Sequence, residues 1–272
     1  SPDGKNVYVA MTQAGGGVAV FDRNQTTGAL SIKAGAAGCL SQVAGCTFVV
    51  GMSDVRDVAV SPDGKTLYTA TWGSGAVAEL SRSQADGTLT QIAGHECIGG
   101  SSDCEPANAL GGPMSVAVSP DGKNVYAVDY TNEALAVLVR DPVTGVLAQA
   151  SGKDGCHSKS GHLGACHTAQ GLVQARWLAV SPDGLSIYVT GWQDLVAVFK
   201  RDSSTGLVAQ PAGLDVCHSF NGDSGLSVGV CRTDAFKVSG NQSIAVSPDG
   251  KSVAVPANGM SGLEEFDRDP TT

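Results

Sequence analysis

No stretch of the chain approaches the roughly 18 consecutive apolar residues that a membrane-spanning helix requires, so no helical span is expected. Charged residues make up only 16% of the sequence, and no basic cluster offsets the formal charge of -9, which argues against nucleic acid and anionic membranes as partners. A helical period of useful length is missing throughout. So are a phosphate-cradling glycine loop, a nucleophile motif and Cys-x-x-Cys-His, which excludes covalent haem; no cofactor is expected. No secretory leader is visible, and a chain that begins inside a repeat could not display one.

What is present is repetition. Ser-Pro-Asp-Gly starts at Ser1, Ser61, Ser119, Ser181 and Ser247. An apolar run precedes it (Asp57 to Val60, Ser115 to Val118, Trp177 to Val180, Ser243 to Val246) and a second follows it (Asn6 to Val9, Thr66 to Thr69, Asn124 to Ala127, Ser186 to Val189, Ser252 to Val255). A third run such as Leu135 to Leu138 and a weaker fourth such as Leu89 to Ile92 complete each unit. The runs are short, rich in Val, Tyr, Thr and Ile, and bounded by Gly, Pro and Asp, which predicts strands. In the joint itself Pro presets the first central turn position and Gly accepts a left-handed conformation, so runs one and two form a hairpin.

Four antiparallel strands repeated every ~60 residues predict an all-β fold, a β-propeller of four-stranded blades, because radial repetition leaves only short sheet edges. Residues 1–272 are expected to form a single propeller domain with incomplete first and last units. The strand count predicts that repeats continue on one or both sides; a closed five-bladed ring lacking two edge strands is the alternative.

Ser-Pro-Asp-Gly-Lys-Asn-Val-Tyr-Val-Ala at 1 to 10 and Tyr188-Val189-Thr190-Gly191 resemble the repeat of YVTN-type β-propellers, the group that includes lactonase-like propellers. The resemblance covers nearly all of the chain outside its cysteine-bearing loops and implies the propeller fold. It carries over no catalytic residue, because the matching positions form turns and strands, and one fold hosts many activities. The Asp-box spacing of sialidases is absent.

The eight cysteines fall as one pair per unit: Cys39 with Cys46, Cys97 with Cys104, Cys156 with Cys166, and Cys217 with Cys231. Paired in this way they read as local disulfides and place the protein in an oxidising compartment: extracellular, cell-surface or periplasmic. A metal site is the competing reading at 156 to 167, where His157, His162 and His167 accompany two cysteines. The common element of all four loops is the cysteine pair, which favours the bridge.

Propeller geometry would put the near-identical turns on one face and everything that varies on the other: the cysteine loops and the two-to-three loops 12–16, 71–75, 129–133, 191–194 and 258–261. That variable face is the expected binding face. Trp72, Tyr130 and Trp192 occupy equivalent positions there and suit sugar stacking or a protein anchor; edge packing is the bland reading. Arg56, Asp57, Met114, Arg176, Trp177, Asn241 and Gln242 lie just ahead of the first strands, near the channel mouth, where the charged groups either orient a ligand or satisfy one another and the backbone.

Asp57, Asp129, Glu133, Asp194 and His167 qualify by type as a general base, but their spacing specifies no mechanism. The recurrent Asp22, Asp202, Asp267 and Asp269 read as structural. The expected function is therefore a disulfide-braced binding or structural module whose partner is a protein, a glycan or further copies of itself; the alternative is a secreted lactonase-like hydrolase.

Overall fold

In the computed structural model, residues 1–12, 15–192, 195–219, 221–224, 227, 229–233, 243–257 and 262–269 are described. Expectations resting on Gln193, Asp194, Asn241, Gln242 and the loop 258–261 lie outside them. The chain is an all-β propeller of antiparallel sheets stacked side by side. The third sheet shows the plan: Pro113–Val118, Asn124–Asp129 and Ala134–Arg140 pair in sequence order, and Leu147–Gln149 adds to the second half of the third strand. The second sheet (Val55–Val60, Thr66–Thr71, Ala76–Arg82, Leu89–Gln91) and the fourth (Ala175–Val180, Ser186–Gly191, Leu195–Arg201, Val208–Ala209) repeat it. The first sheet is described from Asn6–Met11 onward, and the fifth comprises Ala245–Val246, Ser252–Ala257 and Gly262–Asp267.

The third sheet is covered on both faces, which explains why its third strand is apolar without alternation: Ala134 to Leu138 are all fully buried. At the junction of the second and third sheets, Tyr68, Ala70, Val77 and Ile98 pack against Val116, Val125, Leu138 and Leu147. Burying several such side chains at ~1.5–3 kcal/mol each makes these junctions the main source of cohesion.

The cysteine loops are more ordered than the loops expected from sequence. The first cysteine of each pair lies in a strand, Cys39–Leu40, Cys97–Gly99, Cys156–Ser158 or Cys217–Ser219, that pairs antiparallel with the first half of the third strand. The third strand thus carries two short partners end to end, the fourth strand and the cysteine strand. All four expected bridges are closed, with Cα–Cα distances of 4.9, 4.8, 4.8 and 4.7 Å in chain order.

Ser-Pro-Asp-Gly proves to be half of a junction as well as a turn. Within it, the Ser61 hydroxyl donates to Asp63 at 2.5 Å and accepts the Thr66 amide at 3.0 Å, while Gly64 sits at φ 69°. Asp63 then reaches across to the next sheet, where Arg140 donates to it at 2.9 Å, to the Tyr68 hydroxyl at 2.9 Å and to the Gly122 carbonyl at 3.0 Å. Arg82 with Asp3, Arg201 with Asp121 and Arg268 with Asp183 repeat the clasp. These guanidiniums are buried, and their hydrogen bonds help hold Asp63, Asp121 and Asp183 below the usual carboxylate range, alongside the serine hydroxyl and backbone amide in each turn.

Candidate functional site

The opposite face is built from irregularities in the inner strands. Register shifts between Val55 and Asp57, Pro113 and Ser115, and Ala175 and Trp177 make Arg56, Met114 and Arg176 bulge residues. A bulge breaks the strand alternation and re-aims the side chain it carries. The residues before Val55 and Ala175, Asp54 and Gln174, adopt left-handed φ values of 54° and 48°, so the chain enters each bulge sharply. The aromatic side chains follow the last residue of each second strand, and the Trp72 amide bonds back to the Asp54 carbonyl at 3.0 Å, tying ring and bulge together.

The result is a ladder across three sheets. Arg56 lies over the Trp72 ring at 5.9 Å, Trp72 meets Tyr130 edge-on at 5.3 Å, and Arg176 lies 5.1 Å from the Tyr130 ring and 4.3 Å from that of Trp192. Gly112 lies against Trp72, where a Cβ would come within 3.2 Å of the ring. Trp72 and Tyr130 are therefore partly packing residues, whereas Trp192 keeps 47% of its surface exposed.

Asp57 and Trp177, also expected on this face, do not join the ladder. Asp57 is turned into the junction, where its carboxylate accepts the Ser115 hydroxyl at 2.6 Å and the Val116 amide at 3.1 Å; burial raises its pKa. Trp177 packs against the core between the fourth and fifth sheets. Nor do Arg56, Asp57 and Arg176 satisfy one another. Arg56 pairs with Asp54 at 2.6 Å, and among the described residues no acceptor meets the Arg176 guanidinium.

Arg56 Nε, Arg176 Nε and Asp54 Oδ1 are buried without a hydrogen bond among the described residues, an arrangement that folded proteins avoid unless a water, an ion or a ligand meets the group. Asp54, which sequence reasoning missed, keeps one carboxylate oxygen on Arg56 and the other uncommitted. Its only sequence signal is its place two residues before the bulge arginine.

The other acid candidates are spent on structure. Asp129 accepts the amides of Gly111, Gly112 and Asn132 at 2.7, 2.6 and 2.7 Å and thereby braces the loop behind Tyr130; burial raises its pKa. Glu133 bonds the Gln174 amide and pairs with Lys159. His167 pairs with Asp154 and stacks on His157 at 5.2 Å, while His157 also meets Phe199 edge-on across the junction. With Cys156 and Cys166 bridged, the metal reading of His157, His162 and His167 loses its thiolates. Among the described residues no group of three His, Cys, Asp or Glu is placed to hold an ion.

The family described as "Lactonase, 7-bladed beta-propeller" matches residues 32–155. Among solved structures, a protein of Bacteroides uniformis described as a candidate 6-phosphogluconolactonase superposes with a TM-score of 0.67 at 21% identity, covering 99% of this chain and 66% of its own. The Pseudomonas aeruginosa periplasmic gluconolactonase gives 0.66 at 22% identity, with 98% and 64% covered. A functionally unknown protein from Desulfotomaculum acetoxidans gives 0.62 at 13%, with 98% and 66% covered. The chain thus spans slightly less than two thirds of the length of each. No curated protein matches it. Its fold is that of the lactonase-like propellers.

Proposed function

We propose that residues 1–272 act as one propeller domain of a periplasmic or extracellular hydrolase that opens small cyclic esters of sugar acids at the ladder face. The observation that carries this reading is the Arg176 guanidinium, held between the Tyr130 and Trp192 rings with no acceptor among the described residues. Aromatic faces suit a sugar ring, and an uncommitted guanidinium suits the oxygen that gains charge when an ester carbonyl is attacked. The gluconolactonase and 6-phosphogluconolactonase descriptions of the similar structures support the substrate class. The four disulfides support the compartment.

In this reading Asp54 Oδ1 orients a water and takes its proton as the water oxygen bonds to the carbonyl carbon. Arg176 steadies the resulting oxyanion. The ring C–O bond then breaks, and the proton passes to the departing alkoxide to give the open hydroxy acid.

A binding module for sugar acids is the second reading. It is favoured by the commitment of Asp57, Asp129 and Glu133 to backbone amides, which leaves, among the described candidates, only Asp54 with a free carboxylate oxygen. Titrating acid release from glucono-δ-lactone separates the two. Turnover that falls by roughly 100-fold or more in Asp54→Asn and Arg176→Gln, a loss typical of removing a proton acceptor or an oxyanion donor, supports the hydrolase. Gluconate binding without turnover supports the module, and neither activity refutes both.

A further inference from the structure

At three successive junctions the residue just before the third strand abuts the next sheet where its chain enters the bulge. It is Gly16 ahead of Gly17–Arg23, Gly75 ahead of Ala76–Arg82 and Glu133 ahead of Ala134–Arg140, with φ 54°, 61° and 48°. Glycine suits such left-handed values, and a residue with a Cβ is disfavoured there. A Cβ on Gly16 would stand 2.2 Å from the Asp54 amide nitrogen, and one on Gly75 would stand 3.1 Å from the Gly111 carbonyl oxygen. At the third junction a glutamate takes this place. Strain of this kind persists where the surrounding structure holds it, and it clusters at functional sites.

What holds it here is the side chain. Glu133 Oε1 accepts the Gln174 amide at 3.1 Å, and Oε2 pairs with Lys159 Nζ at 3.1 Å. Lys159 follows Cys156–Ser158, the strand of the third cysteine loop, and its own amide donates to the Glu133 carbonyl at 3.0 Å. Gln174 is itself left-handed, at φ 48°, and lies two residues before Arg176. Three residues before Glu133, on the same loop, stands Tyr130, whose ring lies 5.1 Å from the Arg176 guanidinium. The carboxylate therefore ties together both sides of that contact: the loop that carries the ring and the backbone that enters the bulge. At the second junction the corresponding amide, that of Gly112, is met from within its own sheet, by Asp129 at 2.6 Å.

We propose that Glu133 is a positioning residue of the ladder site: it fixes the entry to the bulge so that the Arg176 guanidinium is held against the Tyr130 and Trp192 rings, and Lys159 of the disulfide-bridged loop fixes Glu133 in turn. Its consequence for a ligand rests on Arg176 meeting substrate, as proposed above; its consequence for Arg176 itself does not.

The test reads the guanidinium directly, in proton–nitrogen spectra of the arginine Nε–H groups of the 272-residue chain, which has eight arginines. A proton held against the faces of two aromatic rings is shielded, so the Arg176 signal, identified by its loss in Arg176→Gln, should lie upfield of that of the exposed Arg23. Because glycine already serves at this position in two sheets, Glu133→Gly should keep the fold yet lose most of that upfield displacement, with the Arg140 and Arg201 signals of the clasps unmoved. Glu133→Gln, whose side-chain carbonyl can still accept the Gln174 amide, should retain it. In the same samples gluconate binding or glucono-δ-lactone turnover should fall roughly 10-fold or more in Glu133→Gly and less in Glu133→Gln. An Arg176 signal that is unshielded in the wild type or unmoved by Glu133→Gly, equal losses in the two variants, or clasp signals that move with it would overturn the proposal. A wild-type chain that neither binds gluconate nor turns over the lactone refutes the ladder-face function instead, and Glu133 is then judged by the Arg176 signal.

Discussion

On the turn face the same Ser, Asp, Arg and glycine recur at each of the four junctions, with tyrosine beside them; on the ladder face the residues vary, the second and fourth sheets presenting an arginine and a tryptophan and the third Met114 and Tyr130. Arg140 and Arg176 make the contrast concrete. The first is buried and donates to a carboxylate, hydroxyls and a carbonyl; the second lies between two rings, its Nε without an acceptor among the described residues. Repetition with every hydrogen bond made is what assembly requires. Variation with donors left open is what a binding surface requires, because a site that satisfies itself has nothing to offer a ligand.

The largest expected effect lies on the repeated face. Arg140→Ala should lower unfolding stability by about 3 kcal/mol, because it strands Asp63 and the Tyr68 hydroxyl at a buried junction. Arg23→Ala, at an exposed arginine whose guanidinium bonds the Gly4 carbonyl at 3.2 Å, should cost about 0.5 kcal/mol or less by the same urea titration. Equal losses would break the link between burial and the clasp.

The disulfides come next. Replacing Cys217 and Cys231 together by Ser opens a 14-residue separation and should cost about 3 kcal/mol, slightly more than opening the 7-residue separation of Cys39 and Cys46. Non-reducing peptide mapping should recover the four nearest-neighbour pairs.

Two buried titrations sharpen the comparison between junctions. Glu79, at a position occupied by Val137 in the third sheet, is fully buried; it accepts the Leu147 amide through one oxygen, and burial pushes its pKa up to about 8. The folded state holds this proton while the unfolded chain releases it near 4.5, so the stabilisation present below that pH is lost as pH rises to about 8. Glu79→Gln should therefore gain about 2 kcal/mol at pH 9 and little at pH 4. His157 has the opposite sign. Burial and the neighbouring His167 lower its pKa to about 4, so its contribution is lost as pH falls from 6.5 toward 4, and His157→Leu should flatten that limb of the stability curve.

A small stability effect is expected on the ladder face: Arg176→Gln should cost about 1 kcal/mol or less, the worth of its ring contacts, while removing ligand binding or turnover. A global unfolding as large as that of Arg140→Ala would make Arg176 a packing residue and dissolve the distinction between the two faces.

Much of this was legible in the sequence. Ser-Pro-Asp-Gly announced its turn because the turn chemistry is local, and the cysteine pairs announced their bridges because their spacing is short. Trp72, Tyr130, Trp192, Arg56 and Arg176 could be placed on one face from the repeat alignment alone. Asp57 and Trp177 could not be told apart from them, since a one-residue bulge decides which side chains face the mouth and which enter the junction. The clasp is half visible: Asp63 stands in the Ser-Pro-Asp-Gly turn, but its partner Arg140 lies 77 residues away.

The sequence by itself determined the strand periodicity, the turns, the repeat and the disulfide pairing, all of which rest on interactions between residues close along the chain. Only the tertiary structure decided which charges were consumed and which remained open. That outcome depends on whether a donor's acceptor arrives from the next sheet, dozens of residues away, as Asp63 does for Arg140 and as no described acceptor does for Arg176.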